Sequence, residues 1–379
     1  MRRERVKRWF EENFGGEPAL WSRAPGRVDL MGSHTDYNLG FVLTLAISQD
    51  TWVAARPRGD GIVRLYSANL DALDSFDLRA ISVRDGSGAT WGDYPRGVAW
   101  ALAAEGLPLG GFDGVIHSAV PIRSGLSSSA ALECAIAVVF RALGGWELSG
   151  ERMAQLCQRA ENEYVGLNCG ILDQFSSCLG RAGCALLLDC RDLSTRPVHL
   201  AEGIRVVICD TKSPRELVGG EYGARRALCE EGAAMLGLPA LRDATMAQAA
   251  TLSGDIRKRC EFIVGENERV LAIADALAVG DRGAIHRLCT DSFAGARDLY
   301  EICSPSMLTM MEAMMAAPGA IGARQAGAGF GGCMVAFVET LKTDEFAAAV
   351  SERYCEKTGL TPEIYPVEAS DGARLMHVA

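Results

Sequence analysis

The chain has 379 residues, of which 49% are hydrophobic and 23% are charged, and its formal net charge at pH 7 is −10. These proportions are typical of globular proteins, and the acidic balance argues against a nucleic-acid partner, although a local positive field could still hold an anionic nucleotide. No apolar run is long enough to span a bilayer, so we expect no membrane partner.

Cysteine usage and the N-terminus both point to a reducing compartment. The thirteen cysteines include no C-x-x-C pair, and the basic N-terminal segment lacks the apolar core of a secretory signal. We therefore expect a cytoplasmic protein without a disulfide framework. We also expect a monomer or a weak dimer.

Strand-like and helix-like segments alternate along the chain, which predicts an α+β fold. A first amphipathic helix carries Val6, Phe10 and Phe14 on one face. Strands are predicted at 42–47, 51–56, 62–66, 112–120, 185–189, 205–210, 333–338 and 362–367, and helices at 97–104, 128–143, 149–165 and 343–357, with several long helices between 221 and 317. The length favours two closely joined domains, and a change of pattern near Thr195 divides them into 1–195 and 196–379.

A dense polar segment lies early in the chain, between residues 24 and 39. It holds six polar residues between glycines, beside the strand-like run Val42–Ile47: Arg27, Asp29, Ser33, His34, Asp36 and Asn38. Hydrogen bonds discriminate best where water is excluded. The segment therefore predicts a binding wall for a polyhydroxylated ligand.

A serine-rich loop follows the strand predicted at 112–120. Gly125 to Ala131 read G-L-S-S-S-A-A, and a helix opens at the serines. The N–H groups and dipole of a helix N-terminus attract anions, and serine hydroxyls can bind phosphate or Mg²⁺. The alternative at this point is an ordinary serine N-cap.

Two carboxylates flank a glycine-punctuated loop further on. Glu161 lies on a predicted helix, and Asp173 follows the loop. One carboxylate can hold Mg²⁺ while the other faces a hydroxyl nucleophile, as phosphoryl transfer requires. The alternative is a solvated Glu161 and an Asp173 that caps the next helix.

A glycine-rich segment runs from Gly322 to Cys333 and contains G-x-G-x-G. A dinucleotide-binding fingerprint needs these glycines between a strand and a helix, whereas here they precede the strand predicted at 333–338. The segment could bring its backbone close to phosphates or to a neighbouring loop, or it could be a flexible connection.

Taken in this order, the three motif segments resemble those of the GHMP kinase superfamily and, in detail, those of the galactokinase family. Gly26 to Asn38 resembles the family sequence G-R-V-N-L-I-G-E-H-T-D-Y-N, Gly125 to Ala131 its loop G-L-S-S-S-A, and Cys169 to Phe175 its segment C-G-I-M-D-Q-F. Glu221 to Glu231 is similar to its helix E-Y-x-x-R-R-x-x-C-E-E. The resemblance implies a two-domain GHMP-kinase-like fold with the active site in the cleft between the domains.

The resemblance also implies a reaction, in which a sugar is phosphorylated on its anomeric C1 hydroxyl with ATP and Mg²⁺. It implies that Asp173 is the catalytic base and that Arg27 stabilises the ionised Asp173 and the developing phosphoryl charge. It assigns sugar contacts to Ser33, His34, Asp36, Gly170 and Tyr222, ATP contacts to Gly125, Leu126, Ser127, Ser128, Ser129 and Ala130, and Mg²⁺ ligands to Ser129 and Glu161.

Two residues depart from the family sequence. Asp29 stands where the family has Asn, and Ser33 stands where it has the Glu beside the C6 hydroxyl of the sugar. Because Ser33 removes an anion and some bulk, we expect galactose or a C6 variant such as galacturonate or arabinose as the substrate. Two alternatives stay open: a GHMP kinase for another small alcohol or polyol, and a non-catalytic sensor of sugar and ATP, against which the intact serine loop and Asp173 argue.

Overall fold

The computed structural model describes residues 2–82, 89–121, 124–167, 169–213 and 220–376. The helices within these ranges are α1 (Arg2–Phe14), α2 (Asp93–Ala104), α3 (Ser128–Gly144), α4 (Gly150–Arg159), α5 (Leu172–Leu179), α6 (Glu221–Met235), α7 (Met246–Ala249), α8 (Gly254–Val279), α9 (Arg282–Asp298), α10 (Pro305–Met315) and α11 (Thr343–Thr358). Not one of these described helices is both long and apolar enough to cross a membrane.

The strands of the described ranges form two sheets. The larger contains β1 (Leu20–Met31), β2 (Phe41–Arg58), β3 (Ile62–Ser67), β4 (Ala72–Asp77), β5 (Gly111–Ser118), β6 (Cys184–Asp189), β7 (Thr195–His199) and β12 (Arg374–Leu375). The smaller contains β8 (Ile204–Asp210), β9 (Ala320–Gln325), β10 (Cys333–Glu339) and β11 (Glu363–Val367), in the order β11-β8-β10-β9. The α+β fold class is confirmed.

About half of the first polar segment lies in a β-strand, which the sequence pattern did not predict. Residues up to Met31 belong to β1, which pairs antiparallel with β2 and shows register irregularities between Pro25 and Arg27 and between Asp29 and Met31. The strands predicted at 42–47 and 51–56 are one continuous 18-residue strand, β2. Its start pairs with β6 and its end with β5, so the polar segment is anchored in the middle of the larger sheet.

The predicted amphipathic N-terminal helix is confirmed as α1, with Val6 and Phe10 buried. The helix predicted at 149–165 has two parts. Ser149 caps α4 by accepting a hydrogen bond from the Arg152 N–H at 3.2 Å, and a π-helical turn then spans Ala160–Val165. Such turns are rare and often occur at functional sites, and this one carries Glu161.

The two halves of the chain share apolar packing. Leu30 and Leu45 from the first half belong to the same buried cluster as Ile208, Ile273 and Val335 from the second. The boundary between residues 195 and 196 stays a prediction. Strand pairing favours a first unit that continues through β7, because β7 pairs with β6, and that also takes in β12, because β12 pairs with β1.

Candidate active site

A cavity of about 470 Å³ opens where the polar segments meet. Twelve of the predicted site residues line it: Arg27, Ser33, His34, Asp36, Gly125, Ser127, Ser128, Ser129, Glu161, Gly170, Asp173 and Tyr222. The side chains of Leu126 and Ala130 are instead buried in the apolar core. The cavity therefore joins all the segments that the sequence singled out.

An arginine and an aspartate form the central ion pair of the cavity. Arg27 on β1 donates to Asp173 at the start of α5, with Nε 2.8 Å and Nη2 2.5 Å from Oδ1. Arg27 Nη1 also donates to the Gly125 carbonyl at 2.6 Å. One guanidinium thus fixes the position of the carboxylate relative to the serine loop.

The serine loop directs the side chain of Ser127 to Asp173 rather than to a cap of the described helix α3. Ser127 precedes α3 and adopts the left-handed conformation, with a φ of 60°. Its side chain makes no hydrogen bond that caps this helix among the described residues. Its hydroxyl donates instead to Asp173 Oδ2 at 2.5 Å. The first turn of α3, with Ser128 and Ser129, therefore faces the cavity with its positive dipole end.

Buried carboxylates lie beside the serine loop. Glu161 and Ser129 both line the cavity, and Gln174 Nε2 donates both to Glu161 at 2.6 Å and to Glu133 at 3.0 Å. Burial and then the charge of Asp173 raise the pKa of Glu161. Burial and then the charge of Glu161 raise the pKa of Glu133, whose Oε1 is buried without a hydrogen-bond partner in the described part of the chain.

This excess of buried negative charge fits a divalent cation. The hydroxyl of Ser129 and the carboxylate of Glu161 are hard oxygen donors of the kind that Mg²⁺ prefers, and Mg²⁺ commonly takes one or two protein carboxylates together with phosphate and water. Within the described ranges there is no group of three or more His, Cys, Asp or Glu side chains arranged for a metal. These two residues would therefore hold the ion jointly with a phosphate rather than alone.

His34 uses both ring nitrogens within the protein. Its backbone is in the left-handed region, with a φ of 67°, its Nδ1 lies 2.8 Å from the Tyr37 hydroxyl, and its Nε2 lies 3.0 Å from the Ala328 carbonyl. Burial lowers the pKa of His34 to about 4, so at neutral pH the ring is neutral. Because a carbonyl only accepts, Nε2 carries the proton, and the ring ties the first polar segment to the glycine-rich segment.

Asp36 and Gly170 are matched in shape. A Cβ added at Gly170 would lie 1.6 Å from Asp36 Oδ2, so a larger residue would displace that carboxylate. Burial raises the pKa of Asp36 to about 6, and the charges of Asp173 and Asp29 add to the shift. Tyr222 from α6 packs its ring 5.2 Å from the His34 ring, measured between centroids.

The glycine-rich segment contributes more than the sequence predicted. Residues up to Gln325 form β9, and Arg324 within this strand is completely buried. Gly327 and Ala328 line the cavity. Gly329 makes the predicted close approach to a neighbouring loop, because a Cβ there would lie 2.7 Å from the Ile302 carbonyl.

Sequence reasoning missed Arg324 as a site residue. Its Nη2 donates to Ser33 Oγ at 2.9 Å and to Glu266 Oε1 at 3.0 Å, and its Nε donates to Ser292 at 3.1 Å. The available signal was a charged residue directly after the uncharged stretch 320–323 and three positions before Gly327. Buried charges of this kind are rare unless they are paired.

The two sheets with their helices, the serine loop at the N-terminus of α3 and the Arg27–Asp173 pair beside a polar wall are typical of a small-molecule kinase of the GHMP type. Three family descriptions match the chain: "Galactokinase galactose-binding signature" at residues 8–57, "GHMP kinases N terminal domain" at 93–181 and "GHMP kinases C terminal" at 273–357.

Similar proteins extend these matches over almost the whole chain. The chain is 46% identical to a galactokinase of Chloroflexus aggregans, over 96% of this chain and 95% of that protein. It is 42% identical to a galactokinase of Streptomyces coelicolor, with 96% of each covered. The solved structure of Lactococcus lactis galactokinase complexed with galactose superimposes with a TM-score of 0.93 at 32% identity, covering 98% of this chain and 99% of that one. The chain belongs to the galactokinase family, and it is a phosphotransferase that acts on a sugar hydroxyl.

Proposed function

We propose that this protein transfers the γ-phosphoryl group of ATP to the anomeric C1 hydroxyl of galactose. The observation that carries the proposal is the Arg27–Asp173 pair, which lies beside the serine loop in one cavity with the polar sugar wall. The named relatives are galactokinases, and one was solved with galactose.

Asp173 accepts the proton of the C1 hydroxyl as that oxygen forms its bond to the γ-phosphorus and the bond to ADP breaks. Arg27 keeps the carboxylate oriented, and its positive charge lies next to the charge that spreads over the phosphoryl oxygens. Gly125, Ser127 and Ser128 would hold the phosphates, together with the backbone of Leu126 and Ala130. Ser129 and Glu161 would hold Mg²⁺, which supplies neutralisation of the phosphate charge.

The direct sugar contacts proposed are Asp36, Gly170 and Tyr222, and Ser33 contributes to the sugar wall through the Asp29 carboxylate to which it donates. Asp36 accepts hydroxyl hydrogen bonds best when ionised, and the shape match with Gly170 fixes the direction of its carboxylate. For His34 we propose a contact through its backbone, since both ring nitrogens have protein partners.

Galactose is a better candidate than a C6 carboxylate. Ser33 was expected to remove the negative charge from the wall, but its Oγ lies 2.7 Å from the carboxylate of Asp29. Galacturonate would therefore still meet a like charge. Galacturonate and arabinose have no support among the relatives and serve as comparison substrates.

The test is ADP formation measured with galactose, galacturonate, arabinose, galactosamine and a few polyols, each against a sugar-free background. We expect turnover with galactose and its loss in Asp173→Asn. Asp192→Asn, which alters an exposed carboxylate outside the cavity, is the matched control and should keep full activity. Turnover with a polyol alone would favour the alternative GHMP kinase, and no turnover with any compound would contradict the proposal.

A further inference from the structure

Asp29 faces the cavity from the same side of β1 as Arg27. The pairing of β1 with β2 is regular from Arg27 opposite Ala46 to Asp29 opposite Thr44. Residues two apart on a regular strand point to the same face, about 7 Å apart. A sugar ring has a comparable width, so a sugar bound at the Arg27–Asp173 pair would extend toward Asp29.

The two oxygens of the Asp29 carboxylate have different surroundings. Oδ2 accepts from Ser33 Oγ at 2.7 Å and from the Gly327 N–H at 3.3 Å, and it lies 3.6 Å from Arg324 Nη1. Oδ1 is buried and has no hydrogen-bond partner among the described residues. A buried carboxylate oxygen is costly unless something donates to it, and the residue lines the cavity with only 1% of its surface exposed.

Asp29 borders a buried network of charged side chains, in which its Oδ2 lies 3.6 Å from Arg324 Nη1. Arg324 pairs with Glu266 at 3.0 Å, and Glu266 pairs in turn with Arg269 at 2.8 Å. Two arginines thus face one glutamate, and the carboxyl group of Asp29 is the second acidic group of this network. A carboxylate held in this way is an oriented acceptor for a ligand hydroxyl.

We infer that Asp29 Oδ1 accepts a hydrogen bond from a sugar hydroxyl on the side of the ring opposite C1, with Ser33 and Arg324 as positioning residues that hold the carboxylate in place. This inference rests on the proposed function. It makes Asp29 a specificity-determining residue: the sugar must present a donor at this point, and an anion there is repelled.

The experiment compares the native protein with Asp29→Asn on galactose and on its 2-, 3-, 4- and 6-deoxy derivatives, with KM and kcat determined separately. In the native protein, one deoxy sugar should lose roughly 10- to 100-fold in kcat/KM, the value of one charge-assisted hydrogen bond. Asp29→Asn should cause a similar loss on galactose, mostly through KM, and little further loss on that one deoxy sugar. Equal losses on galactose and on all four deoxy sugars in Asp29→Asn would overturn the inference.

Two further variants keep the experiment decisive. Asp113→Asn also changes a buried aspartate bound by arginines, but one outside the cavity, and it should leave the ranking of the sugars and their KM values unchanged. Ser33→Ala is the alternative variant if Asp29→Asn fails to fold, because it keeps the Asp29 carboxyl and removes one donor to it. It should cause a smaller loss in kcat/KM that depends on the same sugar hydroxyl. An unchanged ranking in Ser33→Ala would then contradict the inference. If the native protein does not phosphorylate galactose, the proposed function fails instead.

Discussion

Ser33 donates a 2.7 Å hydrogen bond to Asp29, so the two positions that depart from the galactokinase sequence motif are in direct contact. The family sequence has Asn and Glu at these positions, whereas this chain has Asp and Ser. Like the family motif, the pair therefore carries one carboxylate, but it stands at position 29 in β1 instead of at position 33 in the loop that follows. The buried Arg324 contacts both side chains, with its Nη2 2.9 Å from Ser33 Oγ and its Nη1 3.6 Å from Asp29 Oδ2.

We therefore predict that the two substitutions back to the family residues compensate each other. Asp29→Asn leaves two arginines with one glutamate, and Ser33→Glu places a second carboxylate beside Asp29, so each should lower the free energy of unfolding by about 2–4 kcal/mol. The double variant should recover about 1–3 kcal/mol relative to the sum of the single effects. Urea denaturation of the four proteins measures this coupling, and strictly additive effects would show that the two positions are independent.

Arg27→Lys should lower kcat roughly 100-fold, while the KM values for sugar and ATP change by only a few-fold. Lysine keeps the charge but loses the planar donor arrangement with which Arg27 contacts both Asp173 and Gly125. Steady-state kinetics over both substrates separates these effects. Arg23→Lys is a matched control, because Arg23 is another buried arginine of β1 and pairs with Asp50 at 2.7 Å, outside the cavity. A similar loss of kcat in the control would indicate damage to β1 rather than to the Asp173 contact.

How much of the site could be predicted depends on whether its residues lie close together in sequence. Ser128, Ser129 and Asp173 stand in local motifs whose chemistry is visible in the residue types. The role of Arg324 is not visible in this way, because its partners Ser33, in the loop after β1, and Glu266, on α8, become its neighbours only in the folded chain. The same limit explains β1: its buried polar residues hide the alternation that predicts a strand, and they become intelligible only beside the cavity.

Asp36 should make the protein less stable as the pH rises from about 4 to 6. Burial raises the pKa of Asp36 to about 6 from its ordinary value of 3.8, so in this window the folded state binds a proton that the unfolded state has released. Stability therefore falls with rising pH through the window. Asp36→Asn should be more stable than the native protein by roughly 1–3 kcal/mol at pH 7.5 and by much less at pH 4.

Chemical denaturation at the two pH values tests the Asp36 prediction. Asp192→Asn is the comparison, since the carboxyl of Asp192 is exposed and hydrogen bonds from Ser194 lower its pKa, which reverses the sign. An Asp36→Asn protein with the same stability increment at both pH values would contradict the assignment. Loss of sugar binding in Asp36→Asn would show that the Asp36 carboxylate serves sugar binding although it lowers the stability of the protein.

Gly170→Ala should raise the KM for the sugar at least tenfold and change kcat less. The added Cβ would lie 1.6 Å from Asp36 Oδ2, and a side-chain carboxylate can rotate away, so the fold should survive while the oriented acceptor is lost. Gly223→Ala is the matched control, because a Cβ at that helical position of α6 meets no atom of the described residues within 4 Å. It should stabilise the protein by about 0.5–1 kcal/mol without changing KM. If Asp36 binds the sugar, combining Gly170→Ala with Asp36→Asn should cost little more than Asp36→Asn alone. If the two losses multiply, Gly170 acts on the sugar independently of Asp36, through its own backbone.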